Sequence, residues 1–356
     1  MRSARVDRLA MDAPDDVSAI AALFASGEVA PEQVIAILGK TEGNGCVNDF
    51  TRGFATQSLR LLLGAHLAPE RVDAVSMVMS GGTEGGLSPH WLVLSETQAP
   101  ESSAEAPAAS GPSLAFASVA TRPLSPSEIG RPAQAALVRD GVYAAMAKAA
   151  IAAEDDVHFV QIKCPLLTSD RIAAVAGDVA TQETLKSMGL SRAASALGVA
   201  EALGEAPPAT QAQIGTDWTL WSSRASASAG VELMCCEIVV MGMSSAWTGP
   251  LAIAHAVMRD AIDAPAVQQL LQTIAPEVPP QEASTRVEGV LVKAEASPEG
   301  TIRGLRHTML QDSDLASTRH ARALVGGVLA GVIGRTDLFV SGGAEHQGPP
   351  GGGPVA

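Results

Sequence analysis

Residues 157–163 read Val157-His158-Phe159-Val160-Gln161-Ile162-Lys163, and residues 226–230 read Ser226-Ala227-Ser228-Ala229-Gly230. The first is a β-rich run ending in lysine, with the partial alternation of a strand that buries one face more than the other. The second is a strand running into a serine turn. Between them, Arg192 opens the small-residue helix Arg192-Ala193-Ala194-Ser195. The same ordered set occurs twice more. Upstream stand Val34-Ile35-Ala36-Ile37-Leu38-Gly39-Lys40, then Arg52-Gly53-Phe54-Ala55, then Val78-Met79-Ser80-Gly81-Gly82. Downstream stand Val287-Glu288-Gly289-Val290-Leu291-Val292-Lys293, then Arg322-Ala323-Leu324-Val325, then Phe339-Val340-Ser341-Gly342-Gly343. The Lys-to-Arg spacing is equal in the second and third sets and shorter in the first. A glutamate follows each serine at the same offset: Glu84, Glu232 and Glu345.

Working outward, an amphipathic helix is expected before each set, over Val17 to Ala25, Ala133 to Ala150, and Ala252 to Ile262 with a further helix through Thr273. Residues 97–113 are rich in Pro, Ala, Ser and Glu and read as a linker. A weaker break falls at residues 244–250. The chain therefore divides into three blocks, expected at 1–103, 112–249 and 255–356. A lysine at a strand end is ordinarily a solvated terminus, and a Ser-Gly-Gly turn is ordinarily just a turn. Three ordered copies instead indicate repeated structural units. Three long units closing about an axis would bring three lysines, three arginines and three serines to one place.

That gathering suits acyl chemistry. Serine attacks a carbonyl only when a base takes its proton, and lysine is that base only when neutral. Desolvation and neighbouring cations both lower its pKa, and Ser-Lys pairs are a known alternative to Ser-His-Asp. The small residues after each serine leave backbone N–H groups open to a carbonyl or a developing oxyanion. Arginines add planar donor forks. The expected ligand is small, flat and rich in carbonyls.

Composition excludes other classes. The 356 residues are 47% hydrophobic and only 3% aromatic, with a formal net charge of −14. There is little to stack nucleobases and no basic face, so no nucleic-acid partner is expected. Charges or prolines interrupt every apolar run, so no membrane span is expected. Cys46, Cys164, Cys235 and Cys236 lack metal or redox spacing and read as free thiols. They suit a reducing cytoplasm, and the N-terminus lacks the apolar core of a signal peptide.

Five segments carry a family resemblance: GKTEGNGCVNDFTRGFA (39–55), SGGTEGGLSPH (80–90), ASASAGVEL (225–233), LVKAEASPEGTIRG (291–304) and GGAEHQGPPGGGPVA (342–356). Together the sequence resembles the cyanuric acid hydrolase/barbiturase family of ring-opening cyclic amide hydrolases. The resemblance implies an α/β fold of three repeats about a pseudo-three-fold axis, with a central sheet core, outer helices, one central active site and a homotetramer. It implies Ser228 as nucleophile and Lys163 as its base, with Lys40 and Lys293 in supporting dyads. Arg52, Arg192 and Arg322, with Ser80-Gly81, Ser228-Ala229 and Ser341-Gly342, would hold a cyclic imide. No cofactor is implied for catalysis. A structural Mg²⁺ or Ca²⁺ is implied, on the Glu295 carboxylate and the carbonyls of Ala344, Gln347, Gly348, Pro349 and Gly352. Hard cations do take oxygen ligands, although a tight C-terminal loop without metal reads equally well from the residues. Cyanuric acid leads as the substrate, with barbituric acid as the alternative. A non-catalytic binder of the same fold would be expected to lack Lys or Ser in the central pair.

The remaining polar residues read blandly. His90 and His346 do not recur in the central block, so loop hydrogen bonding is favoured over a Ser-His hydrolase. An orienting or salt-bridge role is favoured for Glu84, Glu232 and Glu345. Asp312-Ser313-Asp314 reads as a turn or helix cap, not a calcium loop.

Overall fold

The structure, a computed structural model, describes residues 1–98, 111–279 and 282–356. The first block runs β1 (Arg2–Ala10), α1 (Ser18–Ser26), β2 (Val34–Thr41), α2 (Phe50–Gly64), α3 (Pro69–Asp73), β3 (Ser76–Gly81) and β4 (His90–Gln98). The second runs β5 (Ser113–Ala120), α4 (Pro132–Ala149), β6 (Val157–Pro165), α5 (Ser169–Ala174), α6 (Thr184–Ala202), β7 (Ala225–Gly230), β8 (Glu237–Ser244) and the short β9 (Trp247–Thr248). The third runs β10 (Ala256–Met258), α7 (Ala264–Ile274), α8 (Ala283–Arg286), β11 (Leu291–Ala294), the hairpin β12 (Thr301–Ile302) and β13 (Leu305–Arg306), α9 (Ser317–Ile333), β14 (Phe339–Gly342) and β15 (Gly353–Val355).

Each block builds one mixed sheet in the same order. The orders are β3-β2-β4-β1, β7-β6-β8-β5 and β14-β11-β15-β10, with β9 of the second block added in parallel to β1 at the edge of the first sheet. In every case the lysine strand pairs in parallel with the serine strand and antiparallel with the strand that follows the serine strand. The register places the key residues as direct cross-strand partners: Lys40 with Ser80, Lys163 with Ser228, and Lys293 with Ser341. The lysine strand is internal to each sheet and buried almost throughout, which is why its sequence is a near-continuous apolar run. The three serine strands β3, β7 and β14 touch one another pairwise, so the sheets meet at their serine ends.

A core poor in aromatics is filled by close approach. Helices α4 and α6 pack together on the second sheet, and a Cβ at Gly198 would lie 2.3 Å from the Ala135 carbonyl oxygen. A Cβ at Gly141 would lie 2.4 Å from Ile238. These glycines cost helix propensity and return interhelical contact.

The structure corrects several local readings. Residues 252–262 are not helical. Ala256–Met258 forms β10 and pairs with Val355, Pro354 and Gly353, so tertiary pairing overrides the local pattern. The strand read at 287–293 is confined to its end, Leu291–Ala294, because Arg8 takes the carbonyls of Val287 and Glu288. The arginines do not all open helices: Arg52 lies in the first turn of α2, but Arg322 lies in the second turn of α9 and Arg192 mid-way along α6. Of the linker read at 97–113, residues 99–110 lie outside the described residues. Among the described residues no helix is long and apolar enough to cross a membrane.

Candidate active site

A small cavity where the serine strands meet is lined by Arg52, Ser80, Gly81, Arg192, Ser228, Ala229, Arg322, Ser341 and Gly342, together with Gly45 and Met188. The structure thus brings all nine residues expected around a ligand to one surface, drawn from all three blocks. Gly45 was not singled out in the sequence, although it lies inside the 39–55 motif. Its φ is 71°, and a Cβ there would sit 2.9 Å from the Gly81 carbonyl oxygen and 3.0 Å from Arg322 Nη1. Only glycine allows that approach. Met188 stands one helical turn before Arg192 on α6, a signal visible only once the helix is known.

The three lysines lie behind the serines and are almost fully buried. Burial pushes Lys40 well below its ordinary range, with Arg322 adding to the shift. Burial also lowers Lys163, opposed by Glu232 and assisted by Arg52. Lys293 falls to about 7, through burial and then Arg192. Their contacts differ. Lys40 Nζ donates to Ser80 Oγ at 3.4 Å. Lys293 Nζ donates to Ser341 Oγ at 3.1 Å and to the Ala227 carbonyl at 2.6 Å. Lys163 Nζ donates to the Met79 carbonyl at 2.9 Å and lies 2.6 Å from Glu232 Oε1. Lys163 and Ser228 are direct cross-strand partners, but no hydrogen bond joins their side chains. Ser228 Oγ instead shares a 3.1 Å hydrogen bond with Ser341 Oγ. The chain Ser228–Ser341–Lys293 is therefore continuous.

The arginines are held from other blocks. Glu84 of the first block takes Arg322 of the third through Nε at 2.9 Å and Nη2 at 2.6 Å. Glu345 of the third takes Arg192 of the second through Nε at 2.7 Å and Nη2 at 2.6 Å. These are two-pronged, charge-assisted pairs. Burial works against Arg192's charge, but Glu345 more than offsets it and raises the pKa. Among the described residues Arg52 has no such carboxylate. It donates to the carbonyls of Ala229 at 3.0 Å and Cys46 at 2.6 Å, and its Nε finds no hydrogen-bond partner. The salt-bridge role expected of the glutamates is thus seen for Glu84 and Glu345 toward arginine, and for Glu232 toward lysine.

Of the two histidines read as loop residues, His346 lies in a loop, whereas His90 is the buried first residue of β4. His346 accepts from the Gly215 amide at Nε2, with Nδ1 bonded to the Leu220 carbonyl. His90, whose Nδ1 meets the Ser88 carbonyl, stands directly across from Lys40 in the sheet and falls to about 4 through burial. Asp312 accepts from the amides of Asp314 and Leu315, which makes the 312–314 segment a turn before α9.

At the position expected for a metal, the half-buried Glu295 carboxylate accepts from the amides of Ala296 and Ala344. Burial, and then the neighbouring Glu345, raise its pKa. The carbonyls of Ala344 and Pro349 accept from the amides of Gln347 and Gly352. Gln347 Oε1 accepts from the Ala227 amide. Among the described residues no group of three or more His, Cys, Asp or Glu side chains is placed to hold a metal ion.

Comparison with known proteins places this geometry. A family model described as amidohydrolase ring-opening protein matches residues 5–356. The chain belongs to the ring-opening amidohydrolase family. It is therefore a hydrolase of cyclic amides. Among its relatives, the cyanuric acid amidohydrolase of Bradyrhizobium sp. (strain ORS 375) is 56% identical, the alignment covering 100% of this chain and 97% of the relative. The cyanuric acid amidohydrolase of Rhizobium johnstonii is 57% identical over 99% and 97% of the two chains. The crystal structure of the cyanuric acid hydrolase from A. caulinodans superposes with a TM-score of 0.92 at 52% identity, covering 100% of this chain and 98% of that one. A second cyanuric acid hydrolase structure gives 0.94 at 48% identity, with the same coverage. Both share the mixed α/β fold over the whole length.

Proposed function

We propose that this ring-opening amidohydrolase hydrolyses cyanuric acid at the cavity between the three serine strands. One observation carries the reading: three serines and three arginines from three blocks line one small cavity, backed by three buried lysines. In this reading the blocks 1–103, 112–249 and 255–356 are repeats about a pseudo-three-fold axis, a symmetry that suits a three-fold symmetric ring. The identical strand orders of the three sheets support it. Relatives bearing the cyanuric acid name at 54–57% identity favour that substrate over barbituric acid.

Ser228 Oγ attacks a ring carbonyl and its proton passes to Lys163 Nζ. The tetrahedral oxyanion is met by N–H donors of the cavity wall. The ring C–N bond breaks, Lys163 returns the proton to the leaving nitrogen, and an acyl-Ser228 remains. Water then adds to the acyl group as Lys163 takes its proton; the ester C–O bond breaks and Lys163 returns the proton to Ser228 Oγ. The opened product, carboxybiuret, loses carbon dioxide to give biuret. Arg52, Arg192 and Arg322 hold the remaining carbonyls, with Ser80-Gly81 and Ser341-Gly342. No cofactor enters the chemistry. A second reading is favoured by the hydrogen-bond chain from Ser228 through Ser341 to Lys293, which gives Lys293 the basic role instead. Lys163→Met and Lys293→Met separate the two, since only loss of the true base abolishes acylation.

Glu295 and the carbonyls of Ala344, Gln347, Gly348, Pro349 and Gly352 offer only oxygen donors, which fits a hard divalent cation in a structural role. A positive ion there would relieve the repulsion between Glu295 and Glu345. A homotetramer in the cytoplasm completes the reading, and sizing by light scattering tests the assembly. The deciding assay is turnover of cyanuric and barbituric acids by the purified protein. Ring opening of cyanuric acid in clear preference is expected. Opening of barbiturate alone overturns the substrate, and turnover of neither favours a binder.

A further inference from the structure

The ion pairs around the cavity follow a cyclic rule that is broken once. Arg322 of the third block pairs with Glu84 of the first, and Arg192 of the second with Glu345 of the third. Continuing the rule, Arg52 of the first block pairs with Glu232 of the second. It does not. Glu232 Oε1 lies instead 2.6 Å from Lys163 Nζ of its own block, in an ion pair. Arg52, whose side chain is 4% exposed, is left with no hydrogen-bond partner for its Nε among the described residues. Its remaining carboxylate neighbour, Asp49, lies 3.9 Å away and is already engaged by the amides of Gly45 and Thr51.

The backbone shows the same break. The serine turns Ser80-Gly81-Gly82 and Ser341-Gly342-Gly343 both end in a left-handed glycine, with φ of 107° at Gly82 and 77° at Gly343. Gly230, the corresponding residue of the central turn, is not left-handed. The Glu232 carboxylate folds back under Gly230, where a Cβ would overlap it. So the central glutamate is carried to the lysine by a turn of different shape, while its expected arginine waits with an empty donor.

We infer that Glu232 is a positioning residue with two stations: it holds Lys163 in the resting enzyme, and moves to Arg52 when substrate fills the cavity. The inference rests on Ser228 and Lys163 as nucleophile and base. On Lys163, the carboxylate favours the ammonium form and keeps it from Ser228. On Arg52, it completes the third inter-block pair and frees Lys163 to give up its proton and accept one from Ser228. Binding energy is thereby spent on arming the base only when a ring is present. The groups facing Lys163 are Glu232, Arg52, Glu237 across the sheet, and Cys164 beside it. Arg171 also faces Glu232.

The test is the pH dependence of Glu232→Gln beside wild type, with cyanuric acid as substrate. The acid limb of kcat/KM reports Lys163 in the free enzyme, and that of kcat reports it in the complex. Ionisation of the substrate itself is common to both proteins. Two stations require the wild-type kcat/KM limb to lie at higher pH than the kcat limb, by about one unit or more. Glu232→Gln should move the kcat/KM limb down and leave the kcat limb in place, while kcat falls about tenfold for want of the charged partner on Arg52. Limbs that shift together, or that do not shift, overturn the inference. Should the variant fail to fold, the crystal structure of Ser228→Ala with cyanuric acid decides. Glu232 on Arg52 supports the two stations, and Glu232 still on Lys163 refutes them. A wild type that opens neither cyanuric nor barbituric acid sinks the functional reading and this inference with it.

Discussion

Glu84→Gln isolates one inter-block pair. The side chains of Glu84 and Arg322 are 8% and 4% exposed, and the carboxylate also takes Arg319 Nε at 2.9 Å. Gln keeps the shape and one acceptor but removes the charge, leaving Arg322 buried without its counter-ion. Breaking a buried pair from one side costs about 3–5 kcal/mol. Gln retains some hydrogen bonding, so the lower end applies, about 3 kcal/mol. For a chain of this size that is a fall in Tm of roughly 6 °C, at about 2 °C per kcal/mol. The sign with pH follows from the depressed pKa of Glu84, which Arg322 sets against the cost of burial. Its stabilisation is fully present above the unfolded carboxylate pKa of about 4.3 and is lost as pH falls through the folded value. Scanning calorimetry of both proteins from pH 7 downward should therefore show the Tm gap largest near neutrality and closing in acid. A gap under about 1 °C at pH 7, or one that does not change with pH, refutes the assignment of Glu84 as an ionised partner of Arg322.

Two glycine replacements should move stability in opposite directions. Gly198→Ala places a methyl against the Ala135 carbonyl and should cost about 1–3 kcal/mol. Gly53→Ala on α2 meets open space and should gain up to about 1 kcal/mol from helix propensity, both read by thermal melts. If the C-terminal loop holds a hard cation, excess magnesium or calcium should raise Tm at neutral pH, and Glu295→Gln should abolish that rise. A Tm indifferent to both ions removes the metal from the account.

Much of the site was legible because its elements are local. The run VHFVQIK lies within one strand, which continues only to Pro165, and the serine strand is its direct neighbour, so the sequence pattern and the register agree at Lys163 and Ser228. The arginines were found, but not their depth in the helices, because nothing in Arg192-Ala193-Ala194-Ser195 marks a helix already under way since Thr184. The helix expected at 252–262 failed because the pairing of Ala256–Met258 with the C-terminal strand lies a hundred residues off in sequence. The partners of the glutamates were invisible for the same reason. Glu84 meets an arginine in another block, and no local spacing says so. The departure of Glu232 from its siblings follows from the shape of one turn, although the Ser-to-Glu spacing is the same in all three copies.

The central claim is that one of three similar serines does the chemistry. It is tested most directly by kcat for cyanuric acid in Ser228→Ala, measured beside Ser80→Ala and Ser341→Ala. The account predicts a loss of about 10⁴-fold or more at Ser228, with residual turnover in the other two. Full activity in Ser228→Ala, or its total loss at Ser80 or Ser341 alone, contradicts it.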